Sequence, residues 1–593
     1  MHDPHAPHAP DLDPHDDDDD DDDDDPTAAA DTVPWDALLA RVSRGWSGIA
    51  ALVQLAGSPS AWSTGVPNAW GLDRISRRAL FRLAGAGAAA AGLAACSSRP
   101  EREILPYGNQ PPEVTPGVPL HYATGLVVDG FATGVLVASR EGRPTKIEGN
   151  PDHPASLGAT RASEQAAVLA LYDPQRARAI TCGGMPATWS SVEQLLAAAT
   201  AGGGRGLHLV LEPTSSPFVI ELLQRVRAAL PEVGIMFWAP FAPRASLAGN
   251  RLAFGRPLQT QLDLGAADVI VTLDADLVAD HPMALAYARQ ISDRRRVVDG
   301  SSPMSRLYAI EASFTATGVV ADHRLRVRAS EIERVAIELV AAVIAEGRAN
   351  ARVPAAAAAL DAGLAATLAL RPAASERAPW ITAIARDLWR AQGRSVVAAG
   401  ERQPPLVHAI AAAINVVLGN VGSTVGFSEP VLFEAGQPDH DASGPGGLGE
   451  LARAIDRGDV TSLLVLGGNP VYTAPADLGL GRAIARVPHS LYLGLYDNET
   501  ARACRFAVPA LHDLEAWGAA RAYDGTLTPL QPLIEPLFDG RSVADVLHQL
   551  LGDPPATARD RTRAAWQRQL PETDMEAALA RGAVAGTASP AVA

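Results

Sequence analysis

From about residue 185 onward, helical patterns alternate with short apolar runs: Leu207-His-Leu-Val-Leu211, Val233-Gly-Ile-Met-Phe-Trp238, Val269-Ile-Val-Thr-Leu273, Ser395-Val-Val-Ala-Ala399, Leu463-Leu-Val-Leu466 and Leu491-Tyr-Leu-Gly-Leu495. Several runs end at Gly or Asp and lead into helical stretches such as 331–346, a pattern that predicts parallel α/β sheets, two of them. Ahead of these, residues 133–150 alternate apolar and polar about a Gly turn and predict a β-hairpin, closed by the turn Asn150-Pro-Asp-His-Pro154. The expected division is a small β-rich subdomain over 120–180, α/β subdomains over 181–385 and 386–550, and a C-terminal helix with a flexible tail over 551–593.

The chain has 593 residues, 47% of them hydrophobic, enough for several cores. Its formal charge is −17, of which −13 lies in residues 1–30, so the folded part is close to neutral. A nucleic-acid binder carries a basic surplus and a basic stripe, and neither is present. Cys96, Cys182 and Cys504 are the three cysteines, too few for an iron–sulfur cluster and too dispersed for a disulfide scaffold. Arg supplies all the basic residues but Lys146, a bias of base composition rather than of function.

Residues 1–33 contain ten consecutive Asp, 16–25, which repel one another and bury nothing; they are expected to form a disordered acidic tail. Residues 34–95 read as a leader. Ser76, Arg77 and Arg78 precede the uncharged run Leu83–Ala95, which is too short to span a bilayer but has the layout of a twin-arginine export signal. The run ends in Leu93-Ala-Ala-Cys96, which resembles a lipobox and makes Cys96 the candidate lipid anchor; a plain cleavable signal with an incidental Cys is the alternative. A Pro-rich linker over 96–119 follows.

Parallel sheets bind ligands beyond the carboxyl ends of their strands, so Asp274-Ala-Asp276, Gly400-Glu-Arg-Gln403 and Gly467-Gly-Asn469 are expected to crowd one crevice. Gly202–Gly206 precedes a strand rather than following one and is no dinucleotide loop. Cys182 and Cys504 read as small core residues, and His153 and His323 as turn-holding residues without a second ligand at metal spacing. Asp439-His-Asp441 reads as a solvated loop. No catalytic residue and no metal ligand is nominated.

Taken together, Gly149-Asn-Pro-Asp-His-Pro154, the run His408 to Gly422, Gly467-Gly-Asn-Pro470 and Glu499-Thr-Ala501 with Val508-Pro509 and Glu515 resemble the molybdopterin oxidoreductases of the DMSO reductase superfamily. With Ser305-Arg-Leu-Tyr308, Ala321-Asp-His-Arg-Leu325 and Ala519-Ala-Arg-Ala-Tyr-Asp-Gly525, the chain is more closely similar to the large periplasmic subunit of alternative complex III, over about residues 35–550. That resemblance implies a quinol-oxidising membrane complex whose other members are an iron–sulfur (ferredoxin-like) subunit, a multihaem cytochrome c and a polytopic quinol-oxidising subunit. It also implies a place on the periplasmic side of the cytoplasmic membrane. Where cluster-bearing relatives carry thiolates, this chain has Leu126, Asp129, Thr133 and Arg161, and Arg505 stands where an Asp is usual. The expectation is therefore a scaffold without a cofactor, with Gly400, Glu401, Gly467, Gly468 and Asn469 as the vestige of a crevice. The alternative is an enzyme retaining a molybdenum or tungsten bis-pterin that passes electrons to a partner.

Overall fold

The computed structural model describes residues 111–592 except 113, 241–242, 300–303, 351–375 and 434–445. Ser76, Arg77, Arg78, Cys96 and the Asp439–Asp441 cluster lie outside the described residues. Strands β1 (Leu120–Val128), β2 (Phe131–Arg140) and β3 (Arg143–Gly149) form an antiparallel meander. Its tight turns are Asp129-Gly130 and Glu141-Gly142, all four at positive φ, the geometry that two-residue hairpins demand. The chain then lays down β4 (Thr181–Cys182), β5 (Met185–Pro186), β6 (Leu207–Leu211) and β7 (Gly234–Phe237). It next leaves that layer to build β8 (Gln259–Leu262), β9 (Val269–Leu273), β10 (Arg306–Glu311), β11 (His323–Arg326), β12 (Ser395–Ala399) and β13 (Val425–Ser428). It returns with β14 (Ser462–Leu466), β15 (His489–Gly494) and β16 (Phe506–Pro509), and ends on the hairpin β17 (Gly518–Arg521) and β18 (Leu527–Leu530).

Two large sheets result. One has the order β11-β10-β9-β12 and is wholly parallel; the other, β5-β4-β16-β15-β14-β6-β7, is parallel across its five long strands and antiparallel at β4 and β5. Every residue of β9 and β14 is buried, as befits central strands covered by helices on both faces. The two sheets anticipated by the apolar runs are present, but the expected boundary at 385/386 is not where they part. That cut separates β12 from its neighbour β9, while β6, with β7 on its far side, pairs with β14, more than two hundred residues away. A run of apolar residues predicts a strand but says nothing about which strand lies beside it.

The end of the chain also departs from expectation. Residues 551–592 form two helices, Ala558–Gln569 and Met575–Arg581, and the segment beyond them is packed, with Val584 N–H bonding Leu527 O at 2.9 Å and Val592 N–H bonding Phe427 O at 2.7 Å. Its Ala, Gly and Pro content made it read as a flexible tail, yet small residues also suit a segment that threads closely over a surface. Among the described residues no helix is long and apolar enough to cross a membrane.

Candidate functional site

Strands β9 and β12 are neighbours, so the segments that follow them meet. Asp274, left-handed at φ 56°, accepts from Ala312 N–H at 3.0 Å and from the Gln403 amide at 2.8 Å. Asp276 accepts from the backbone of Ala316 and Thr317 and from the Thr317 hydroxyl at 2.7 Å, capping the short helix Ala316–Val320. A Cβ on Gly400 would lie 1.9 Å from the Asp274 carbonyl, which only glycine permits. These residues enclose one side of a cavity of about 380 Å³. The meander contributes Asp129 and Phe131 to it, the helix Arg244–Phe254 contributes Ser246 and Asn250, and the helix Pro405–Val417 contributes His408, Ala411, Ala412 and Asn415.

Glu401 keeps an accessible face although protein surrounds it, the situation of a side chain on the wall of a deep cavity. That desolvation pushes its carboxyl up to about 7, against the pull of hydrogen bonds from the Ser246 hydroxyl and amide. His408 and His281 are pushed down by burial, to about 4 and about 3, and are therefore neutral rings. Burial also raises Tyr523, whose hydroxyl donates to Thr260 O at 3.0 Å and whose ring lies edge-on to His281.

The structure brings Gly400 and Glu401 to this cavity but leaves Gly467, Gly468 and Asn469 out of its lining. These three follow β14 in the other sheet, and their loop is already filled. Gly467 and Gly468, at φ 93° and 65°, form a concave backbone turn of the kind that cradles anions, and the Glu212 carboxylate sits in it, accepting from Gly468 N–H. Asn469 joins Glu499 at 2.7 Å and the Thr500 hydroxyl at 2.7 Å, so the two sequence motifs that share these residues form one structural joint.

The positions matched to cluster thiolates serve other ends. Leu126 is buried in a small apolar core, Thr133 is buried, Asp129 makes the hairpin turn and Arg161 pairs with Glu164 at 2.6 Å. Cys182 and Cys504 lie in different layers of core, and burial pushes the Cys504 thiol up to about 12. His153 holds its turn as expected, accepting from Ala155 N–H and joining the Thr528 hydroxyl at 2.8 Å. His323 does not: it stands exposed on β11 with its ring stacked on Tyr308, because the Asp322 before it, rather than the imidazole, bonds the Leu307 amide.

A bis-pterin dinucleotide, with its pyrophosphates, does not fit these residues. Among the described residues the cavity is lined by five carboxylates and a single guanidinium, Arg402, which is paired to Asp280 at 3.2 Å. A cavity of about 380 Å³ suits one drug-sized molecule, and the backbone cradle on the other sheet holds a carboxylate of this same chain. Sequence reasoning named Glu401 but missed His408, Ser246 and Glu212. The available signal for His408 was a histidine and an asparagine set seven apart in an otherwise apolar helix.

No protein-family model matches the chain. It is 25% identical over 454 residues to the molybdopterin-binding-like subunit of menaquinone reductase from Nitratidesulfovibrio vulgaris, an alignment covering 71% of this chain and 63% of that protein's length. Its structure superposes on acetylene hydratase from Pelobacter acetylenicus with a TM-score of 0.54 at 10% identity, over 76% of this chain and 70% of the other. The chain therefore shares its fold with acetylene hydratase, the α/β architecture that the resemblance to molybdopterin oxidoreductases implied.

Proposed function

We propose that this chain is a non-catalytic, cofactor-free subunit of a membrane-associated, quinone-linked electron-transfer complex of the alternative complex III kind. The observation that carries the reading is the fate of the four cluster positions. Leu126, Thr133, Asp129 and Arg161 are committed to core, turn and ion pair, so this chain has no thiolate relay to carry electrons out of a crevice. The relative's name supplies the link to a quinone, and "molybdopterin-binding-like" is in keeping with a framework retained after its cofactor. Such a subunit would position an iron–sulfur protein, a multihaem cytochrome c and a polytopic quinol-oxidising subunit against one another.

Elemental analysis of the protein purified from its native membrane, together with a fluorescence assay for oxidised pterin, tests this reading. The expected result is neither molybdenum, tungsten nor pterin, with iron following only the co-purifying subunits. Near-stoichiometric metal with pterin would restore the alternative of an active oxidoreductase.

The same proposal places the chain on the periplasmic side of the cytoplasmic membrane, sent there by Ser76-Arg77-Arg78 and held by a lipid on Cys96. Replacing Arg77 and Arg78 together by Lys is expected to leave the protein in the cytoplasm, and Cys96→Ala to release it from membranes on washing with salt. A periplasmic double-Lys variant, or a Cys96→Ala variant that stays bound without its partners, would overturn these two points.

A further inference from the structure

The sheet β11-β10-β9-β12 has two edges, and among the described residues only one of them is closed. At β12 the side chains of Asn415, Asn420 and Thr424 bond backbone groups of Ser395 and Val397 that no strand meets. Strand β11 has no such seal. It runs parallel to β10, with Tyr308 beside His323 and Glu311 beside Arg326, and Val327 N–H donates to Glu311 O at 3.1 Å. Backbone groups turn alternately to the two sides of a strand, so His323 and Leu325, like Val327, face β10, while Arg324 and Arg326 turn their N–H and C=O away from the sheet. Among the described residues nothing bonds those four groups.

The border of this open edge is apolar and basic. Phe314 stands exposed at one end with the Arg324 guanidinium 4.5 Å from its ring centroid, and Val319 and Val320 stand exposed at the other, just ahead of the strand. Arg295, bonded to both Asp322 and Ser305 O, brings the exposed Val297 and Val298 to that same end. Arg324 is paired to Glu311, but Arg326 and Arg328 are exposed and make no ion pair among the described residues. A short edge blunted only against aggregation needs charge and no apolar border. We propose that β11 takes up, as a fifth strand of this sheet, an extended segment of another polypeptide in which acidic residues alternate with apolar ones. Backbone bonds to Arg324 and Arg326 hold such a segment, its carboxylates meet the free guanidinium groups, and its apolar side chains cover the valines and Phe314. A second copy of this chain is a poor occupant, since antiparallel pairing of two β11 strands sets Arg against Arg. The chain's own Asp16–Asp25 tract has the charge but no apolar side chain, and Asp is a poor strand former.

The test is titration of the full chain into three labelled peptides, followed by fluorescence anisotropy: an octapeptide alternating Glu and Val, its Lys and Val counterpart, and oligo-aspartate. The Glu/Val peptide is expected to bind about tenfold more tightly than the Lys/Val one. It should slow hydrogen exchange at the Arg324 and Arg326 amides and leave those of His323 and Leu325, which β10 already protects, unchanged. Arg326→Pro removes one outward N–H at a place where an edge strand accepts proline without losing a bond to its neighbour, and should abolish binding while thermal unfolding stays native. Arg326→Glu combined with Arg328→Glu should turn the preference to the Lys/Val peptide, a result that loss of folding would not give. Equal binding of the two alternating peptides, oligo-aspartate binding as tightly as the Glu/Val peptide, or protection gained elsewhere than on β11 overturns the proposal. So does a dimer of the native chain that Arg326→Pro splits, which would make the occupant a second copy, and so does binding of no peptide, which would leave β11 a blunted edge. A pterin or metal found in the chain would not touch this edge, and failure of the peptides would leave the scaffold role standing, so the two readings fail separately.

Discussion

At the scale of single residues, the motifs that carry the family resemblance turn out to be joints. Glu515 shows it most clearly. Its carboxylate takes two hydrogen bonds from Arg176, at 2.7 and 3.1 Å, in a pair whose side chains are 2% and 0% exposed, and it also accepts from His512 and Leu537 N–H at 2.9 Å. Burial alone would raise this carboxyl, but Arg176 and the two amides outweigh it and hold the group below the usual carboxylate range. Glu515→Gln keeps the shape but strands a buried guanidinium, and is expected to destabilise the protein by ~3–5 kcal/mol in chemical denaturation. Because the folded-state pKa is depressed, the native advantage is fully present above the unfolded value of about 4.3 and is lost as pH falls through the folded one. The gap between native and variant should therefore narrow below about pH 4; a gap constant from pH 7 to pH 3 would show that charge is not its origin. Glu515 was legible as a motif residue, but Arg176, 339 positions away, was not, because nothing local announces a long-range ion pair.

At the scale of elements, the run from His408 to Gly422 was legible as a motif and its reason was not. Strand β12 lies at one edge of its four-stranded sheet, with backbone groups of Ser395 and Val397 turned away from β9. The Asn415 side chain closes that edge as a strand would, donating to Val397 O at 2.8 Å and accepting from Val397 N–H at 3.0 Å. Asn420 accepts from Ser395 N–H and the Thr424 hydroxyl donates to Ser395 O, so three polar side chains seal the strand without a further partner. Periodicity shows such a helix as apolar and buried, but it does not show that Asn415 faces a strand edge. Asn415→Leu keeps the branched outline of the side chain and removes both bonds to Val397, leaving an N–H and a C=O buried and unmet. A loss of ~2–5 kcal/mol is expected from the two orphaned groups, with faster hydrogen exchange at the Val397 amide than at Val271 in the neighbouring central strand; protection of Val397 equal to that of the native chain would refute the account.

At the scale of the whole molecule, the connectivity explains both what the sequence disclosed and where it misled. Alternating apolar runs disclosed a parallel α/β architecture, since each strand's burial is written in its own residues. The nesting of one sheet between the two halves of the other is not written locally, and neither is the role of the last forty residues. There the Arg581 carbonyl accepts from Asn150 at 2.7 Å, the Leu579 carbonyl from Gln531 at 3.0 Å and the Thr587 carbonyl from Arg521 at 3.0 Å. The terminal segment thus ties the N-terminal meander, the β17–β18 hairpin and, through Val592, the strand β13 into one body. Its anchor is Trp566, 2% exposed, edge-on to Phe218 with ring centroids 6.4 Å apart and bonded through its indole N–H to Thr573 O at 3.1 Å. If the terminus were a loose tail, Trp566→Ala would be near neutral. As a packed strap it is expected to cost ~3–5 kcal/mol, the range for emptying a buried aromatic site. The same substitution should expose the segment after Gly582 to limited proteolysis while the chain is otherwise folded. A Trp566→Ala protein with native stability and an intact terminus after protease treatment would return these residues to the status of a tail.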